Sequence, residues 1–178
     1  MKLSPAFDAL NDLLTRRIVI IDGAMGTMIQ RANLTDADFR GDRFRDHPGD
    51  LKGNNDLIGL TRPDVLERIH GEYLAAGADI IETNTFAATR IPQADYGLES
   101  FAYEINLESA RIARRAADAS SAKDPSRRRF VAGALGPMNK TLSMSTKVDD
   151  PSARAVSFDE VKDAYAEAAR ALLEGGSD

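Results

Sequence analysis

Apolar positions along the chain switch between a helical and a strand-like period, and the switches mark its elements. Ser4-Pro5 has the form of an N-cap followed by proline at the first helical position, and Phe7, Leu10 and Leu14 then recur at helical spacing up to Arg16-Arg17. Ile18-Val-Ile-Ile21 is an unbroken β-branched run ending in Asp22. Such a run predicts a strand buried on both faces, with Ile18, Ile20 and Asp22 on one side and Val19 and Ile21 on the other. Residues from about 30 to 55 are polar and carry Gly41, Pro48, Gly49 and Gly53, which predicts a long irregular stretch of the functional or mobile kind. Thr61-Arg-Pro-Asp64 opens a helix striped by Val65, Ile69 and Tyr73 and closed by Gly77. Ala78 to Asn84 reads as a second strand, with Ile80, Glu82 and Asn84 on one face. A helix from about Ser100 to Ala119 carries Phe101, Ile105 and Ile112, and Phe130 to Pro137 reads as a third strand leading into another glycine-containing loop. Ser157-Phe-Asp-Glu160 matches a capping box and starts a helix bearing Val161, Tyr165 and Leu172, which ends at Gly175-Gly176.

Strand and helix alternate three times, which predicts an α/β fold with a parallel sheet, right-handed crossovers and the first helix across one end. Gly175-Gly176-Ser-Asp178 repeats the step at Gly77-Ala78-Asp79 that introduces a strand. The expectation is therefore an incomplete (βα) unit spanning residues 1–178 and cut before a fourth strand. A small three-stranded sandwich is the competing architecture.

Composition narrows the partners. The 178 residues include 43% hydrophobic and 29% charged types with net charge −5, so no nucleic acid and no anionic membrane surface is expected as a partner. Arg127-Arg128-Arg129 is the densest basic cluster, either a phosphate site or a solvated loop. There are no cysteines, hence no disulfide and no cysteine-held metal within these residues. No apolar run approaches the ~20 residues of a membrane span, and Met1-Lys-Leu-Ser-Pro-Ala-Phe7 lacks the apolar core of a secretory leader, so a cytoplasmic location is expected.

The candidate chemistry centres on Asp22-Gly-Ala-Met-Gly-Thr27, where a strand-end carboxylate meets a loop of exposed backbone N–H groups. On spacing alone it is equally a tight turn in which Asp22 caps the next helix. No Gly-Lys-Ser/Thr follows, which excludes a phosphate-binding P-loop, and the glycine spacing does not fit a dinucleotide fingerprint. His47 and His70 read as ordinary surface or packing residues rather than metal ligands. No predicted strand contains a lysine, and Lys140, just past Pro137, is a weak candidate for Schiff-base chemistry.

Asp22-Gly-Ala-Met-Gly-Thr27, Asn55-Asp-Leu-Ile-Gly-Leu60, Gly77-Ala-Asp-Ile-Ile-Glu-Thr-Asn-Thr-Phe86 and Gly133-Ala-Leu-Gly-Pro137 occur in that order. Together they resemble the homocysteine-binding domain of cobalamin-dependent methionine synthase, within a wider family that includes betaine- and S-methylmethionine-dependent homocysteine methyltransferases. The resemblance runs from about Ile18 to Gly176. It implies a (βα)8 TIM barrel with its site at the C-terminal mouth, of which this chain holds about three βα units and an N-terminal helix. It further implies that Asp22 contacts the amino group of homocysteine, that backbone N–H groups of Gly23, Ala24 and Met25 take its carboxylate, and that Glu82 and Asn84 reach the same mouth. A polar plug bridging strand ends is the alternative for Glu82 and Asn84, and Gly136 and Pro137 are expected to shape a loop rather than touch ligand. The implied cofactors are zinc, held in the family by three cysteines from later strands, and methylcobalamin, recharged by methyltetrahydrofolate. The implied partners are homocysteine, the other half of the barrel, and folate and cobalamin domains. Without the cysteines, these residues alone are expected to be inactive and to bind neither cofactor strongly. A non-catalytic half-barrel for binding or assembly, and a cobalamin-independent homocysteine methyltransferase, are the alternative functions.

Overall fold

The computed structural model describes residues 4–178, so residues 1–3, part of the stretch scanned for a secretory leader, lie outside the described residues. Among the described residues eight α-helices and two strands follow one another: α1 (Pro5–Arg16), α2 (Met25–Arg31), α3 (Asp36–Arg40), α4 (Ile58–Thr61), α5 (Pro63–Ala76), β1 (Ile80–Glu82), α6 (Arg90–Gln93), α7 (Ala102–Lys123), β2 (Phe130–Ala132) and α8 (Phe158–Glu174). The protein is α/β and mostly helical. No helix among the described residues is long and apolar enough to cross a membrane.

The helix starts follow local chemistry. Ser4 Oγ accepts the Phe7 N–H at 3.1 Å, and Ser157 and Glu160 cap each other reciprocally at the head of α8. Gly77 ends α5 at φ 110°, a left-handed conformation in which a side chain would be strained. β1 and β2 run parallel in register Ile80–Phe130, Ile81–Val131 and Glu82–Ala132, with α7 as the crossover between them. Ile81 and Val131 pack with Leu74, Ala78, Ala113 and Ala117, so the helices cover one face of the sheet. α8 lays Ala164, Ala168, Ala171 and Leu172 inward. Its buried stripe is thus mainly alanine, and Val161 and Tyr165 lie only part-way in.

Three expectations change. The Ile18–Asp22 run is not a strand buried on both faces: it makes a single parallel bridge, Ile21 to Ile80, and Ile18 is 85% exposed, Ile20 55% and Ile21 50%. Its β-branched residues set an extended backbone, but among the described residues only β1 pairs with it, leaving its outer side open. The third strand occupies Phe130–Ala132 and leads, as expected, into the glycine-containing loop, whose backbone turns to meet the Thr83–Phe86 segment. Residues 30–55 are mostly turns and bends, as expected, but they are packed: they hold the last two residues of α2 and all of α3, and bury Phe39, Phe44 and Leu51 in a core with Leu57, Ile58, Leu66, Ile69 and Ile105. Three large side chains at wide intervals, helped by the partly buried Ala32 and Leu34, anchor this stretch although most of its other positions are polar.

The last change concerns Arg127, Arg128 and Arg129, which form neither a phosphate site nor a solvated loop. Arg127 and Arg129 reach the fully buried Asp79, as does Arg17 in a two-pronged contact at 2.6 and 2.7 Å, while Arg128 pairs with Asp178. Asp79 also accepts the Ile20 N–H at 3.1 Å, and its own N–H bonds the Ile20 carbonyl at 2.7 Å. Asp178 repeats this on the next strand, accepting the Val131 N–H at 3.0 Å and donating to the Val131 carbonyl at 2.9 Å.

Candidate functional site

At the opposite end of the strands lies a cleft of about 610 Å³. Its floor and walls are Asp22 to Gly26, Gly53 to Asp56, Glu82 to Ala87, Tyr96 and Ala134 to Gly136. Asp22, Gly23, Ala24, Met25, Glu82 and Asn84, the six residues singled out from the sequence, all line it. Among the described residues no lysine, arginine or histidine does. His47 instead accepts the Gly49 N–H through Nδ1 at 3.1 Å, and Lys140 lies 3.8 Å from Asp95 on the surface.

Asp22 is fixed by the sheet. Its backbone N–H donates to the Ile80 carbonyl at 2.9 Å, and its carboxylate accepts the Glu82 N–H at 3.0 Å. It therefore bonds the neighbouring strand end rather than capping α2. Partial burial raises its pKa to about 6; the Glu82 N–H works against that rise and the nearby Glu82 charge adds to it. The chain then turns sharply, with Ala24 in the left-handed region at φ 46°, and α2 starts at Met25 with no side chain capping its first turn. That turn offers backbone donors beside an acid that lacks a cationic partner.

Asn84 behaves differently. It is buried, and its side-chain N–H donates to the Asn55 carbonyl at 2.6 Å, so it ties two walls together as in the polar-plug alternative. Glu82 keeps its side chain exposed at the mouth. Gly136 does more than shape its own loop, because it lines the cleft with its backbone against Phe86, where an added Cβ would fall 1.9 Å from the Phe86 carbonyl oxygen. Tyr165 O–H holds the Gly136 carbonyl at 2.8 Å.

Sequence reasoning did not single out Asp56. It is buried in the cleft wall, accepts the Ala87 N–H at 3.1 Å, and has its pKa raised by burial to about 6. The usable signal was the run Asn54-Asn55-Asp56, three polar residues directly before apolar Leu57-Ile58. Phe86 and Tyr96 were missed as well, and the 68% exposure of Phe86 makes it the main apolar surface at the mouth.

The residues present do not fit a thiolate zinc centre. The chain has no cysteine, and among the described residues no group of three or more His, Asp or Glu side chains could hold a metal ion.

Comparison with known proteins locates this arrangement. The profile of the homocysteine S-methyltransferase family matches residues 19–178. The metallated form of the homocysteine methyltransferase MmuM from Escherichia coli superposes with a TM-score of 0.68 at 24% identity, over 95% of this chain and 55% of that one. Its oxidized form gives a TM-score of 0.68 at 23% identity, over 95% and 54%. The chain thus spans about half the length of these solved structures.

Proposed function

The chain belongs to the homocysteine S-methyltransferase family, and from that membership we propose that its cleft holds the amino-acid end of homocysteine for methyl transfer to the sulfur. The carrying observation is Asp22: a carboxylate held by the Glu82 N–H, without a cationic partner, beside the uncapped first turn of α2. An ammonium group supplies the missing countercharge, and backbone N–H groups around Gly23, Ala24 and Met25 supply donors for the α-carboxylate. The ligand's sulfur then extends toward the mouth, past Phe86 and Leu135. Glu82 adds negative charge on the ammonium side, and Asn84 keeps the floor in place.

We read the fold as the first part of a (βα)8 barrel. The Asp79–Ile20 and Asp178–Val131 pairings support this, since one backbone step recurs from strand to strand as a barrel requires. On the same reading the thiol is activated by zinc held on residues other than these, and no catalytic step is assigned to this chain alone. Methylcobalamin as the donor, in the manner of methionine synthase, rests on the Met25 form of the loop and the Asn55-Asp-Leu-Ile segment.

Titration calorimetry with L-homocysteine tests the amino-acid site. Binding that is lost in Asp22→Asn and indifferent to added zinc is the expected result. Zinc-dependent tight binding by these residues would overturn the assignment of the metal to another part of the protein.

A further inference from the structure

Asp56 stands on the segment that faces the strand-end loop of β1, and the two are joined at several points. Asn54 and Gln93 exchange side-chain hydrogen bonds at 2.8 and 3.3 Å, Gln93 also donates to the Ala87 carbonyl at 3.0 Å, and Asn84 donates to the Asn55 carbonyl at 2.6 Å. Within this lattice the Asp56 carboxylate takes the Ala87 N–H at 3.1 Å, and the Phe86 N–H also favours its charged form. From the other side, Gly136 sits against the Phe86 carbonyl so closely that no side chain fits there. The Phe86–Ala87 peptide is thus gripped at its N–H by Asp56 and at its carbonyl by Gly136, while the Phe86 ring remains exposed at the mouth.

A buried carboxylate without a cation is costly to keep. Asn in its place would offer one acceptor oxygen, but its NH₂ group would face the same backbone donors. A carboxylate presents an acceptor to the Ala87 N–H whichever way it turns, whereas an amide does so in only one of its two orientations.

We propose that Asp56 is a positioning residue of the cleft, whose carboxylate fixes the Phe86–Ala87 turn and thereby sets the orientation of the Phe86 ring that walls the ligand's sulfur end. Its role in fixing the turn stands on geometry alone; its effect on homocysteine rests on the functional reading above. Asp56 does not recognise the ammonium, which is the task of Asp22.

The chain contains no tryptophan, so Phe86→Trp installs a single reporter at the mouth. Iodide would report charge as well as access, so acrylamide is the quencher used, on the ligand-free protein. In the Phe86→Trp background, Asp56→Asn and Asp56→Ala are each expected to raise the quenching constant about twofold and to broaden the emission, with far-ultraviolet circular dichroism unchanged. Should Asp56→Ala fail to fold, the near-isosteric Asp56→Asn carries the measurement. Unchanged quenching in a folded Asp56→Asn protein would overturn the proposal. Calorimetry with L-homocysteine on Asp56→Asn, with Phe86 intact, is expected to show an affinity loss of about threefold to tenfold. If the quenching changes while the wild-type protein fails to bind homocysteine, the positioning role stands and the homocysteine reading falls.

Discussion

The two ends of the strands treat carboxylates in opposite ways. At one end Asp79 is fully buried and receives Arg17, Arg127 and Arg129, which hold its carboxyl well below the usual range, Arg17 most strongly. At the other end Asp22 and Asp56 are buried to different degrees among backbone N–H groups, with no cationic side chain among the described residues that line the cleft, and both rise to about 6. The same side chain is neutralised where it joins α1 to the sheet and left with a charge deficit where a ligand can enter. On the proposed reading, the contrast separates a structural acid from a binding acid.

The harshest test of that contrast is Asp79→Ala. It strands Arg129, whose side chain is only 6% exposed, and frees Arg17 from the sheet. Removing one partner of a buried ion cluster costs about 3–5 kcal/mol, so a large fall in the urea midpoint is expected. A loss under about 1 kcal/mol would show that the neutralised end is not structural. Because the folded pKa of Asp79 is depressed, its contribution is present above the unfolded value near 3.8 and disappears as pH falls through the folded value.

His70 gives the next largest effect, as a third kind of buried ionisable group. It is fully buried on α5, neither ring nitrogen has a hydrogen-bond partner, and burial lowers its pKa to about 4. Below the unfolded value near 6.5 the unfolded chain takes up a proton that the native imidazole refuses, so the native state loses stability down to about pH 4. The shift corresponds to roughly 3 kcal/mol by that pH. Asp22 and Asp56 act in the reverse sense: their native forms bind protons between about pH 6 and 3.8, which favours the native state as pH falls. His70→Leu is therefore expected to gain stability relative to the native chain between pH 7 and pH 4, read from urea titrations at both. Parallel pH curves for the two proteins would refute the buried neutral imidazole.

How much of this contrast was legible in the sequence depended on whether the signal was local. Ser4-Pro5, Gly77 and Ser157–Glu160 announced helix ends because caps act on backbone groups within four residues. Asp22 was found because a β-branched run leads directly into it. Burial, by contrast, is a property of neighbours: Ile18, Ile20 and Ile21 have the composition of a central strand and lie at an open edge. Phe39, Phe44 and Leu51 lie in polar company and yet form core. Asp56 and the arginines on Asp79 gained their roles from contacts across 31 to 62 positions, which no periodicity displays.

Asp22→Asn sharpens the other side of the comparison. It removes the charge while keeping one acceptor for the Glu82 N–H, so stability should change by less than about 1 kcal/mol. Loss of a charge-assisted contact to an ammonium is worth about 2 kcal/mol, or about thirtyfold in the dissociation constant for L-homocysteine. A stability loss comparable to that of Asp79→Ala would assign Asp22 to the framework and erase the distinction between the two ends.

The smallest effect expected is a pH dependence of binding. An ammonium binds the ionised form of Asp22, so affinity should be level above about pH 6 and fall below it by up to tenfold per pH unit, the limit for one proton. The α-amino group of homocysteine stays charged throughout this range, so the slope belongs to the protein. Asp56 titrates in the same window, and a residual slope in Asp22→Asn would measure its indirect share through the Phe86 turn. A profile flat from pH 7 to pH 5 in the native chain would mean that the acid at the open end is already neutralised, as Asp79 is at the closed one.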